Sequence, residues 1–209
     1  MKFLASIPVN MNNLRKKSLL KLDLGSGNKP YRDYQGVDIG GGDKSVIKKD
    51  ILIFLKKLPK NSVSHIYSRH YLEHAESEQV IKILDEIDRV LIKKGEILFV
   101  LPHYSNPFFF SDPTHKTFFG VHTFSYFCET SCLKRHVPRY SVIYGWHLLR
   151  VKINFVPMFR IRFLGLKLPF LSDILNFIVN LNYRFLELYE RYFASIFSIY
   201  EVEYHITKD

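Results

Sequence analysis

Three acids sit at or just behind short apolar runs near the start of the chain. They are Asp23 in Lys21-Leu-Asp-Leu-Gly-Ser-Gly27, Asp38 in Val37-Asp-Ile39, and Asp50 in Asp50-Ile-Leu52. Gly25 and Gly27, with Ser26 between them, make a turn without bulk, where the backbone can approach a ligand that a Cβ would block. A carboxylate at the tip of the neighbouring strand is placed to accept two hydrogen bonds from ribose hydroxyls. The chemistry to expect is therefore capture of a nucleoside-containing cofactor at the carboxyl ends of parallel strands.

Only ten residues separate Gly27 from Asp38, and Asn28-Lys-Pro30 stands where a third glycine is often found. A nicotinamide-binding unit places its acid about 20 residues beyond the loop, after a full helix whose N-terminus faces the pyrophosphate. This spacing leaves no room for such a helix, which counts against NAD and suits a donor without phosphates.

The ordered set Leu22-Asp-Leu-Gly-Ser-Gly27, Val37-Asp38, Asp50-Ile51, Tyr71-Leu-Glu-His74 and Gly95-Glu-Ile-Leu-Phe-Val-Leu-Pro102 resembles the class I S-adenosylmethionine-dependent methyltransferases. The likeness is greatest to the small branch (type 11-like) associated with surface-polysaccharide and small-molecule modification. It spans residues 19 to 103, about half the chain, and Asp112-Pro-Thr-His-Lys-Thr-Phe-Phe119 extends it more weakly. The resemblance implies S-adenosyl-L-methionine as cofactor. It lays Gly25, Ser26 and Gly27 against the methionine part, with Asp23 near the glycine loop or the amine. It sets Asp38 and Ile39 at the ribose, Asp50 and Ile51 at the adenine, and Ser68 and Arg69 near the carboxylate or the reacting centre.

Methyl transfer to a hydroxyl needs that hydroxyl's proton removed, and imidazole is tuned for this near neutral pH. His70, His74, His103 and His115 are candidates; His103 and His115 are favoured, with Asp112 as partner. No metal site is expected, because neither these residues nor Cys128 and Cys132 have ligand spacing that demands one.

The elements that must position these groups alternate along the chain. Strands are expected at Ser18–Leu24, Tyr34–Ile39 and Val63–Ser68, with a short segment at Asp50–Leu58 crossing the cofactor site. Val80, Ile81, Leu84, Ile87, Val90 and Leu91 recur at helical spacing and predict a helix over Ser77–Ile92. Lys93-Lys-Gly95 is expected to end that helix, and Glu96–Leu101 to be a buried strand. Such alternation predicts an α/β Rossmann-like, doubly wound, mostly parallel sheet, covered on both faces. After Pro102, residues 103–140 read as a cap of loops and short helices. A strand pair is expected at Tyr140–Trp146 and His147–Phe155, an aromatic helical appendage at Leu168–Ile199, and a closing edge strand at Glu201–Thr207. One domain over 1–209 is expected: a cofactor core at 18–103, a substrate-side cap and helical segment at 104–200, and the closing strand at 201–209.

A net charge of +10 in 209 residues raises the question of nucleic acid. The basic residues come as scattered doublets such as Lys48-Lys49 and Lys56-Lys57, with no recognition motif beside them, so nucleic acid is not the expected partner. Two cysteines point to a reducing compartment. With no cleavable leader pattern and no uncharged run of roughly 18 residues, a cytoplasmic location is expected. The aromatic stretch at 168–199 has three readings, as cover for the sheet, as a dimer or lid surface, or as peripheral membrane contact. The expected activity is O-methylation of a sugar or glycolipid-type acceptor. An RNA or protein methyltransferase, or an inactive cofactor-binding partner subunit, are the alternatives.

Overall fold

A computed structural model describes residues 19–138, 143–155 and 170–209. The predicted strand start at Ser18, residues 140–142 and residues 168–169 lie outside the described residues. Five parallel strands open the chain: β1 (Leu20–Leu24), β2 (Gln35–Asp38), β3 (Val46–Lys48), β4 (Val63–Arg69) and β5 (Leu91–Pro102). Three more, β6 (Cys128–Ser131), β7 (Tyr144–Phe155) and β8 (Ile199–Lys208), complete one sheet in the order β3-β2-β1-β4-β5-β8-β7-β6. β8 runs antiparallel between β5 and β7, so the sheet is mostly parallel, with helices packed on it.

Helix α1 (Ile51–Lys57) starts where the Asp50 carboxylate accepts from the Ile53 amide and ends with Lys56 and Lys57 against its negative end. Helix α2 (Ser77–Val90) buries Val80, Ile83, Leu84, Ile87 and Val90 along one stripe. Arg89 ties the two together by donating to the Leu55 and Leu58 carbonyls. Across the sheet, Tyr144 and Trp146 of β7 donate to Asp85 and Asp88 of α2. The opposite face is less covered. Lys21, His65, Leu98 and His205 line a groove of about 390 Å³ there.

Four expectations need correction. Helix α2 stops at Val90, because fully buried Leu91 is drawn into pairing with Val63; Lys93-Lys-Gly95 lies inside β5, with Lys94 at φ 58°. The expected strand pair is one strand, β7. Its register shifts between Leu148 and Arg150, which puts two exposed residues in succession and breaks the alternation a sequence reading relies on. The last strand is not at an edge but lies between β5 and β7. Half-buried Glu203, His205 and Thr207 alternate with buried Val202, Tyr204 and Ile206, which marks one partly solvated face and not a free edge. The 168–199 stretch divides into α3 (Phe170–Val179) and α4 (Tyr183–Tyr192), because Asn182 caps α4 by accepting from the Arg184 and Phe185 amides.

Candidate functional site

The glycine loop after β1 is held by backbone and carboxylate together. Gly25 sits at φ 78° and Gly27 at φ 58°, conformations that favour glycine. The Gly25 amide donates to the Val37 carbonyl at 2.9 Å, which pins the loop to β2. Asp38, at the tip of β2, accepts from the Gly27 amide at 2.9 Å and from the Gly40 amide at 2.6 Å. A Cβ on Gly25 would stand 2.4 Å from the Tyr71 Cβ, so the Tyr71 side chain lies directly over the loop.

Two cavities open beside this loop. One, of about 330 Å³, is bordered by Asp23, Gly25, Lys29, Arg32, Tyr67 and Arg69, with Ser26 and Tyr31 also on its wall. Asp23 is 3% exposed and accepts from the Tyr31 amide, and burial pushes its carboxyl up to about 6. Tyr31 stacks on Tyr67 at 4.1 Å, closing one side. Arg69 reaches Glu201 at 3.1 Å, which also takes His70 at 3.0 Å. Burial opposes the charge on Glu201, yet His70 and Arg69 hold it below the usual carboxylate range.

The other cavity, of about 230 Å³, is bordered by Asp38, Ile39, Lys49, Asp50, Ile51, Tyr71 and His74. Asp50 spends one oxygen on the α1 cap. The structure thus brings Asp23, Gly25, Ser26 and Arg69 to one cavity and Asp38, Ile39, Asp50 and Ile51 to the other, with Gly27 in the loop beside them. Ser68 lines neither; it is fully buried and donates to the Leu24 carbonyl.

The proposed bases part company. His103 is fully buried, with Nδ1 on Ser105 at 2.9 Å and Nε2 on Glu190 at 3.0 Å, so neither nitrogen faces a cavity. His115 belongs to a cluster beside the second cavity. Its ring stands 4.9 Å from that of His74, and its Nε2 lies 3.7 Å from Asp112. Burial, and then neighbouring His115, push the His74 imidazole below its ordinary value. Phe108, Phe110 and Phe118 stand exposed on the same segment.

Tyr71, Tyr31, Lys29 and Arg32 reach the cavities without having been singled out from the sequence. The signal was present for Tyr31 and Arg32: a connection too short for a helix must run as a loop, close to whatever the strand tips bind. Cys128 and Cys132 are free thiols, and burial pushes Cys128 up to about 12.

No protein-family model matches the chain, and no curated protein matches it. Solved structures do. A SAM dependent methyltransferase from Archaeoglobus fulgidus aligns over 94% of this chain and 92% of its own, at 17% identity and a TM-score of 0.57. Phosphoethanolamine N-methyltransferase 2 from Haemonchus contortus, solved with S-adenosyl-L-methionine, aligns over 93% of this chain and 49% of its own, at 14% identity and a TM-score of 0.48. A putative sarcosine dimethylglycine methyltransferase from Galdieria sulphuraria aligns over 95% and 82%, at 14% identity and a TM-score of 0.48. The first of these likenesses establishes the fold, an α/β sheet of the kind found in that methyltransferase.

Proposed function

We propose that the protein transfers a methyl group from S-adenosyl-L-methionine to a small-molecule acceptor, with the hydroxyl of a sugar or lipid-linked sugar as the favoured acceptor. The observation that carries this reading is the pair of cavities beside one glycine loop, one mostly charged and one that sets Asp38 and Asp50 beside Ile39, Ile51 and Tyr71, with Lys49 and His74 also on its wall. The donor has the same division, a zwitterionic amino-acid end and an adenosine end. Asp23 suits the ammonium, and Arg69, Lys29 and Arg32 suit the carboxylate. Asp38 suits the ribose hydroxyls and the free oxygen of Asp50 the adenine amino group, with Ile51 against the ring.

Transfer is an in-line displacement. The acceptor oxygen bonds to the methyl carbon, the carbon–sulfur pair leaves with sulfur, and the hydroxyl proton passes to a base beside the acceptor, with Asp112 and His115 as candidates. The protein's part is chiefly alignment and exclusion of water. His115 and Asp112 are the candidates to meet an acceptor, a reading supported by their closeness to His74 and by exposed Phe110 and Phe118 on the same segment. Helices α3 and α4 expose Ile174, Phe177, Ile178, Phe185 and Leu188, which supports peripheral contact with lipid and hence a lipid-linked acceptor. No described helix is long and apolar enough to cross a membrane. Lys29, Arg32, Arg69 and Lys49 around the cavities give the second reading, an RNA or protein acceptor, its own support.

Calorimetric titration with S-adenosylmethionine and S-adenosylhomocysteine tests the donor. Binding that Asp38→Ala weakens sustains the reading, and no binding to folded protein overturns it. Labelled-methyl transfer to sugar and glycolipid acceptors, against RNA and protein, then separates the acceptor classes.

A further inference from the structure

Glu73 is the most anomalous polar side chain among the described residues. It is fully buried, and neither carboxylate oxygen has a hydrogen-bond partner. His70 Nδ1 stands 4.0 Å away, beyond hydrogen-bond distance. A buried carboxyl without a hydrogen-bond partner either keeps its proton or needs a cation beside it, and a bound ion would supply that cation.

The surroundings supply the rest of such a site. Glu73, His74 and His115 each offer one ligand atom, and these atoms lie within 4.8 Å of one another. Both imidazoles are already oriented by their other nitrogen. His115 Nδ1 lies 2.9 Å from the Phe109 carbonyl, which can only accept, so Nδ1 carries the proton. His74 Nδ1 lies 2.8 Å from the Thr114 hydroxyl, whose own proton goes to Asp112 at 2.6 Å, so this Nδ1 also donates. Each Nε2 is therefore left with its lone pair, the tautomer a metal requires. A ring N–H fixed by an oxygen acceptor is the usual outer support of a ligating histidine. The Thr114–Asp112 bond extends that support one step further.

The main chain brings the two ligand-bearing segments together. The Lys116 and Thr117 amides both donate to the Glu73 carbonyl, at 2.7 and 3.1 Å, which docks the 112–117 segment on the short turn Leu72–His74. We propose that Glu73, His74 and His115 form a binding site for one divalent first-row transition ion of the zinc type. Two imidazoles and one carboxylate suit such an ion and do not suit magnesium or calcium, which take oxygen ligands. Three protein ligands leave a coordination position for water or for an oxygen of a bound molecule. The inference stands on this cluster and is independent of the proposed donor.

The test uses the full chain, stripped with a chelator and then titrated with zinc and with cobalt. Metal content is measured after desalting, and cobalt coordination is read from its visible absorption. The expected result is one ion per chain with an absorption showing nitrogen and oxygen ligands. Affinity should fall by more than about tenfold in Glu73→Gln and His115→Ala, and by roughly tenfold in Thr114→Val, which only loosens His74. Circular dichroism of each variant confirms that the fold persists. Absence of bound ion in the folded wild-type chain overturns the proposal. So does binding that Glu73→Gln and His115→Ala leave unchanged, because the ion would then sit on other histidines.

Discussion

The loops at the tips of β1 to β4 and the cap over β5 to β8 use the same kinds of polar side chain to opposite ends. In the first region, Asp23, Asp38 and Asp50 each hold backbone amides and still border an open cavity. In the second, the polar groups turn inward to one another. His103 is closed between Ser105 and Glu190, Glu190 also takes the Val121 amide, and Glu187 takes the Lys134 and Arg135 amides. Buried Tyr204 donates to the Gly120 carbonyl. An acid that borders an open cavity can meet a ligand; one turned into the packing, beside a buried partner, serves the fold.

The sharpest way to break this contrast is at the glycine loop. Gly25→Val forces a branched side chain into φ 78° and onto Tyr71, 2.4 Å from where its Cβ must go. Strain of about 1–3 kcal/mol plus displacement of Tyr71 should lower donor affinity by at least roughly a hundredfold in calorimetry, with the sheet retained by circular dichroism.

The converse change comes next in size. His103→Ala leaves the Glu190 carboxylate without its imidazole partner in a nearly dry site. Thermal or denaturant unfolding should show a loss of about 2–3 kcal/mol, while donor affinity stays as in the wild type. A donor affinity that fell with His103 would join the two regions and end the comparison.

That pair of outcomes also explains what the sequence could tell. The tips of β1 and β2 were legible because apolar runs, glycines and acids act locally: a strand ends, a loop turns, a carboxylate stands at the tip. α2 was legible from its stripe, though not its end, since long-range pairing of Leu91 with Val63 decided where the helix stopped. The burial of His103 is hidden for a different reason. Directly after a strand at the cofactor end, this histidine looks catalytic, and only Glu190, 87 residues away, shows that it is sealed. β7 and β8 were misjudged on alternation alone, which a bulge interrupts and which a half-solvated inner strand imitates.

A smaller effect sharpens the donor side. Burial raises the folded Asp23 carboxyl to about 6, above its ordinary value of 3.8. The empty folded protein therefore favours protonated Asp23. The stability this contributes is fully present below the ordinary value and is lost as pH rises through about 6. Pairing with a donor ammonium requires the ionised form, so affinity should decline by up to about tenfold per pH unit below that point. Asp23→Asn should flatten the profile, and a wild-type profile that is already flat would show that Asp23 does not meet the ammonium.

The smallest expected change tests the sealed region at its outer edge. The outer edge of β7 beyond its pairing with β6 is occupied by side chains of α3 and the turn after it. Asn176 accepts from the Phe155 amide, and Asn180 both accepts from the Ile153 amide and donates to the Ile153 carbonyl. These side chains fill backbone positions that a neighbouring strand would take, and on that ground they should keep the edge from templating another chain. Asn180→Ala should cost only about 1 kcal/mol in unfolding, because water can replace part of what is lost. Its clearer signature should be association that grows with concentration in light scattering, as the Ile153 backbone becomes free to pair. Asn176→Ala should do the same at Phe155. If both variants stay monodisperse while stability falls, the asparagines hold α3 in place and leave the edge to be guarded by the bulk of the helix. In that case, sealing in this region rests on packing more than on hydrogen bonds.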